Sequence, residues 1–310
     1  MTASSSLLLS TRRIDSELSI IKPIKGLFFI KRLYTLGYPG KTGCQTPLDS
    51  FSAPPSFHST PERLKTDVLS RSPCDKIPTM EKKKILLFDI DGTLLLSGGA
   101  GKTALEKAIL DLFGFENAWG SLVPDGKTDP AIIDEIMTPL CGNALSAEQH
   151  SQLRDLYHFH FESEIRTADQ FRLMPGISQL LAELRNIPSL ALGIATGNFK
   201  KAAEMKLRRG GLESYFDFGG FACDAVERPM LTRIGYERGK SFCGKNIDPQ
   251  DVFVIGDTIY DVRAGKSLGA RTISVCTGST PRGTLEAMSP DYLFEDLSDI
   301  AAFLSCLNAP

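Results

Sequence analysis

Lys84-Ile85-Leu86-Leu87-Phe88-Asp89-Ile90-Asp91-Gly92-Thr93 runs from an apolar segment straight into two carboxylates placed two positions apart. The apolar run reads as a buried strand, and Gly92 permits a turn conformation that other residues resist. In extended chain, residues i and i+2 share a face, so Asp89 and Asp91 point toward one opening where the strand runs out. Two unpaired buried acids repel, and each bears a heavy desolvation cost. A purely structural role for the pair is therefore awkward without a cation between them, and a divalent metal is the natural partner.

Further along, helix and strand alternate. The periodicity predicts helices over 177–184, from Phe199 to about Arg209, from about Pro229 to Phe242, up to Leu268 and around 297–305. Strands are expected at 190–195, near 216–218, at 252–255 and at 271–275. Such alternation implies an α/β fold, a Rossmann-like three-layer core with a parallel sheet and helices on both faces. Ligands of open sheets collect at the carboxyl ends of strands. Three short segments fall there: Asp89 to Thr93, Thr196-Gly197-Asn198, and Gly256-Asp257-Thr258-Ile259-Tyr260-Asp261. Each has a plainer reading. A calcium loop needs more acids than follow Asp89, where Leu94-Leu95-Leu96 stands instead. Thr, Gly and Asn are ordinary turn formers, and Asp257 with Asp261 could simply open a solvated helix.

Residues 97–172 read as an inserted α-helical cap, leaving 80–96 and 173–310 for the catalytic core. Ala104 to Phe113 is amphipathic and ends near Gly114; Asp129-Pro130 opens a second helix with Asp129 as cap; Ser146 to Gln149 opens a third. Ser97 to Thr103 contains Gly101-Lys102-Thr103, but a phosphate-cradling P-loop requires glycine where Leu96 stands. The glycines at 98, 99 and 101 read better as a hinge. Lys127 is a candidate specificity residue that would bring a cation over the substrate, set against a solvated turn; Arg172 is open in the same way. His158 and His160 do not share a helix face, and Trp119 reads as cap packing or an apolar wall.

Composition fits an enzyme with a sizeable core: 310 residues, 42% apolar, 23% charged, net charge −2. Residues 1–79 hold 11 Lys+Arg against 6 Asp+Glu, leaving 24 against 31 for residues 80–310. An acidic folded part disfavours nucleic acid and anionic membranes as partners. That balance says nothing against a small anionic substrate, because local cations decide that, and the chain is expected to be a monomer or homodimer. Residues 1–79 are rich in Ser, Pro and basic residues and are expected to be a disordered leader, either a transit peptide or a segment upstream of a translation start at Met80. A cytoplasmic location follows from the second reading, a chloroplast or mitochondrial matrix from the first. Seven cysteines without Cys-x-x-Cys spacing disfavour a zinc site or disulfide framework. The most apolar early stretch, Ile20 to Leu36, is broken by Lys22, Pro23, Lys25, Gly26, Lys31 and Arg32, so no membrane span is expected.

Phe88-Asp89-Ile90-Asp91-Gly92-Thr93-Leu94 resembles the first signature of the haloacid dehalogenase superfamily, most of whose members are aspartate-nucleophile phosphatases. Thr196-Gly197-Asn198 resembles the second and Gly256 to Asp261 the fourth. For the third, a Lys often followed by Pro, this chain offers Arg228-Pro229, with Lys240 and Lys245 as other candidates. The resemblance spans about residues 84 to 305, and the helices between the first two signatures stand where the superfamily places a type-1 cap. It implies Asp89 as nucleophile and Asp91 as acid and base. Thr196, Gly197, Asn198 and Arg228 would hold the phosphoryl oxygens. Mg²⁺ is the implied cofactor, on Asp89, the Asp91 backbone carbonyl, Asp257 and, directly or through water, Asp261, and a small phosphorylated metabolite is the implied partner. An acid at position 91 favours phosphoryl transfer over carbon–halogen cleavage. With Pro175-Gly176 ahead of the second signature, the phosphoglycolate phosphatase-like group is closest in appearance. A phosphomutase of the β-phosphoglucomutase type and a non-catalytic binding protein on the same fold stay open as alternatives.

Overall fold

The computed structural model describes residues 83–244 and 246–308; the expectations for residues 1–79, and Lys245, lie outside the described residues. At the centre is β1 (Lys84–Phe88), with β4 (Leu190–Ala195) on one side and β6 (Val252–Gly256) on the other. The sheet is completed by β5 (Phe218–Gly220) beyond β4, and by β7 (Arg271–Val275) and β8 (Tyr292–Phe294) beyond β6. All five pairings are parallel, in the order β5-β4-β1-β6-β7-β8.

The two-residue period of β1 sorts its side chains between two cores. Leu86 and Phe88 pack on one face with residues of α4 (Ile177–Arg185), α5 (Lys200–Gly210) and α9 (Ile300–Asn308). Ile85 and Leu87 pack on the other with residues of α6 (Arg228–Cys243) and α7 (Ile259–Leu268). All four side chains are fully buried. At about 1.5–3 kcal/mol for each large apolar side chain removed from water, their burial outweighs strand propensities that span only about 1 kcal/mol. Double-sided burial is what places this segment centrally.

Between β2 (Leu95–Ser97) and β3 (Phe171–Leu173), which form a separate antiparallel ribbon, lie α1 (Ala100–Phe113), α2 (Asp129–Cys141) and α3 (Ala147–Thr167). Ala104 and Ala108 on α1 allow close approach to Leu153, Tyr157 and Phe161 of α3 around a third apolar cluster. Ser146 and Gln149 form a reciprocal capping box at the start of α3. The start of α2 differs from the expectation: Thr128 is the cap residue and Asp129 already helical. The Asp129 carboxylate accepts instead from the Phe199 N–H at 2.7 Å, across the seam between cap and core. Four short elements carry too few residues for a periodic signal: β2, β3, α8 (Arg282–Ala287) and β8. Among the described residues, no helix is long and apolar enough to cross a membrane.

Candidate active site

Asp89 follows β1 directly, its N–H donating to the Ile255 carbonyl of β6 at 2.9 Å, so the strand ladder continues into the first acid. Gly92 then turns the chain at φ +81°, where other residues are strained. Close approach also requires glycine there, because a Cβ would overlap the carboxylate of Asp257. Thr93 donates its hydroxyl to Asp257 Oδ1 at 3.0 Å, and the Thr277 hydroxyl donates to the Gly92 carbonyl at 2.5 Å. The ends of β1, β6 and β7 are thereby tied into one rim.

Asp89, Asp257 and Asp261 are all buried and present carboxylate oxygens within 4.8 Å of one another. Arg228, at the start of α6, sets one Nη2 between Asp89 Oδ1 at 2.9 Å and Asp261 Oδ1 at 2.5 Å. The other Asp261 oxygen caps α7, accepting from the Thr258 N–H at 3.1 Å and hydroxyl at 2.7 Å. The helix-cap reading of Asp261 and its place in the acidic cluster therefore hold together. One guanidinium cannot neutralise three carboxylates. Burial raises the pKa of Asp89, against the pull of Arg228, and raises that of Asp257, with Asp89 and Asp261 adding to the rise. Arg228 is held protonated by Asp261 and Asp89 despite its own burial. Hard oxygen donors with surplus negative charge fit a divalent cation such as Mg²⁺.

Asp91 stands in different surroundings. Its side chain is 38% exposed against 6% for Asp89, so the second acid faces the cavity and can exchange protons there. Lys206 Nζ lies 2.5 Å from Asp91 Oδ2 and also donates to Asn198 Oδ1. Asn198 Nδ2 donates to Asp91 Oδ2 at 2.8 Å and to Thr196 Oγ1 at 3.0 Å. The two acids of one strand end thus have separate cations, Arg228 for the first and Lys206 for the second.

Lys206 is absent from the sequence-based candidates. Its signal is its phase: on α5 it stands at i+4 from Ala202 and i+3 from Ala203, on the face that carries buried Leu207. A lysine on an apolar helix face must find an acid or lose its charge. Of the third-signature candidates, Arg228 lines the cavity, while Lys240 pairs with Glu237 at 2.8 Å on its own helix.

The cavity, of about 500 Å³, opens between core and cap. Gly197 sits against the cap backbone, since a Cβ there would overlap the Lys127 carbonyl, and the Asp129 N–H donates to the Gly197 carbonyl at 2.7 Å. Burial lifts the Asp129 pKa to about 6, with Lys206 and the Phe199 N–H acting against the rise. Lys127 and Trp119 both line the cavity; the Lys127 ammonium is paired with Glu135 at 2.6 Å. His158 is buried against Phe199, and His160 bonds to Asp111 at 2.7 Å.

The core is a parallel α/β sheet with an acid pair at the end of its central strand, a third acid just past the end of the adjacent strand and a fourth in the first turn of the helix that follows. Residues 83–269 match the model of the haloacid dehalogenase-like hydrolase family, and the chain belongs to that family. It is 22% identical over 236 residues to pyrophosphatase PpaX of Bacillus mycoides, covering 73% of this chain and 99% of that protein. Over 130 residues it is 33% identical to phosphoglycolate phosphatase of Synechococcus elongatus, covering 42% of this chain and 58% of that protein. A crystal structure of a predicted phosphoglycolate phosphatase from Haemophilus somnus superposes with a TM-score of 0.56 at 18% identity, over 73% of this chain and 99% of that one. At that identity the superposition establishes the shared fold.

Proposed function

We propose that the chain is a phosphatase that hydrolyses a small phosphate monoester through an aspartyl-phosphate on Asp89, and that it is phosphoglycolate phosphatase-like. The carrying observation is the division of labour at the end of β1. A buried carboxylate lies against Arg228, and two positions on a cavity-facing carboxylate lies against Lys206. Bound to Asp89, Asp257, the Asp91 carbonyl and, directly or through water, Asp261, Mg²⁺ would neutralise surplus charge and polarise the phosphoryl group.

An Asp89 carboxylate oxygen attacks phosphorus as the ester P–O bond breaks, and Asp91 gives its proton to the departing alcohol oxygen. Asp91, now ionised, takes a proton from water, whose oxygen attacks the aspartyl-phosphate; phosphate leaves and the Asp89 carboxylate is regenerated. Asn198 and Lys206 line the cavity, with Thr196 buried behind Asn198 and Gly197 against the cap backbone; from this side the transferring oxygens would be held, and Arg228 keeps Asp89 in place. Lys206 and Arg228 divide the work of the third-signature cation.

The test is phosphate release from a panel of small phosphate esters with Mg²⁺, run beside Asp89→Asn. The Asn variant is expected to lose about 10³-fold or more of kcat. Full activity in that variant would sink the proposal. Isomerisation of a sugar phosphate with little phosphate released would point instead to a mutase.

A further inference from the structure

The cavity is much larger than one phosphoryl group requires, and its charges are unevenly used. Five cations line it. Arg228 is held by Asp89 and Asp261, Lys206 by Asp91, and Lys127 by Glu135. Lys102 and Arg172 also line the wall and have no ion-pair or hydrogen-bond partner among the described residues. They come from opposite sides of the hinge, Lys102 from the first turn of α1 and Arg172 from the middle of β3.

Strand geometry explains why Arg172 faces the cavity. Its neighbours Phe171 and Leu173 pack against the apolar core, so period-two alternation turns Arg172 to the opposite face. Its register partner Leu96 lines the cavity as well, while also packing against that core. The same wall carries the apolar side chains of Leu105, Trp119, Ile133 and Phe199, beside the Tyr157 phenol.

We propose that Lys102 and Arg172 form a subsite for a second anionic group, so that the substrate is a small organic phosphate carrying a carboxylate or a second phosphate across a short carbon chain. This inference rests on the phosphatase reading of the same cavity. Two cations on the wall of one partly apolar pocket, neither of them paired with a carboxylate among the described residues, favour an anion there. Lys127, closer to the seam, has already spent its charge on Glu135.

The experiment compares wild type with the double variant Lys102→Gln/Arg172→Gln on three esters: phosphoglycolate, propane-1,3-diol bisphosphate and propyl phosphate. Wild type is expected to favour at least one of the doubly anionic esters over propyl phosphate by roughly tenfold or more in kcat/KM, mostly through KM. The double variant should lose roughly tenfold of that preference. Preference for phosphoglycolate identifies a carboxylate as the second anion, and preference for the bisphosphate identifies a phosphate. Equal kcat/KM on all three esters in wild type, or a preference that survives in the variant, overturns the subsite and leaves the phosphatase reading intact. If wild type releases phosphate from none of them, the phosphatase reading is left to the wider ester panel and calorimetric binding decides the subsite alone. Phosphonoacetate or propane-1,3-bisphosphonate should then bind wild type roughly tenfold tighter than propylphosphonate, and the double variant should lose the difference; no difference in wild type overturns the proposal.

Discussion

Lys206 and Asp91 meet at 2.5 Å although 115 positions separate them, and the ammonium that Lys206 presents comes from a helix face otherwise occupied by Ala202, Ala203 and Leu207. A cation so buried is held for its charge. Its second contact, Asn198, belongs to the loop that follows β4, so the lysine joins the acid/base candidate to the loop proposed to hold phosphate.

Lys206→Met keeps the length and apolar stem while removing the charge. Activity is expected to fall about 10²- to 10³-fold, in kcat rather than KM, because preorganised charge acts where it develops in the transition state. The thermal midpoint should stay near that of wild type, since Asp91 remains partly open to solvent. Steady-state kinetics with a thermal melt on the same preparation checks both, and a variant with wild-type kcat would remove Lys206 from the site.

Arg228→Met should act first on stability. It strips the protein cation from Asp89 and Asp261, and breaking a buried pair by removing one partner costs about 3–5 kcal/mol. Mg²⁺ should restore part of the loss, by mass action on the folded state. Urea unfolding with and without the metal is the measurement; an Arg228→Met protein as stable as wild type in EDTA would contradict the ion-pair account.

Without metal, stability should fall as pH rises. Asp89 and Asp257 have folded pKa values above the ordinary carboxylate value of 3.8, so the folded state binds more protons than the unfolded one over that interval. The loss begins near the ordinary value and is complete once pH passes the raised folded values. Metal affinity should rise over the same interval, since binding requires both groups ionised. Melting curves from pH 5 to 9 in EDTA and in Mg²⁺ should diverge with increasing pH, and parallel curves would count against this cluster as the metal site.

Gly278→Ala isolates geometry from charge. Gly278 is outside the left-handed region, yet a Cβ there would overlap the Asp257 carboxylate. Displacing that ligand should raise the Mg²⁺ concentration needed for half-maximal activity by about 10- to 100-fold, with the fold retained. Metal titration of activity tests it; an unchanged requirement would mean that Asp257 can move without consequence.

The acid pair of β1 was legible in the sequence because its signal is local: an apolar run, a two-residue spacing and a glycine lie within ten positions. The same holds for the strand-end positions of Thr196 and Asp257, where helix and strand periods alternate. The ribbon of β2 and β3 was not legible, because three-residue strands owe their existence to each other across more than seventy positions. Asp129 was legible as a helix start and yet caps nothing, since its carboxylate found the Phe199 N–H on another element.

From the chain alone came the buried first strand, the acids and the expectation of a cation among them, all consequences of burial and of backbone period acting over short distances. Only the tertiary structure decided which cation serves which acid: Lys206 for Asp91, Arg228 for Asp89 and Asp261. It also decided which basic side chains on the cavity wall are paired with acids and which, among the described residues, are not. Pairing between charges depends on distances across the fold, and a one-dimensional pattern holds no record of them until packing brings the elements together.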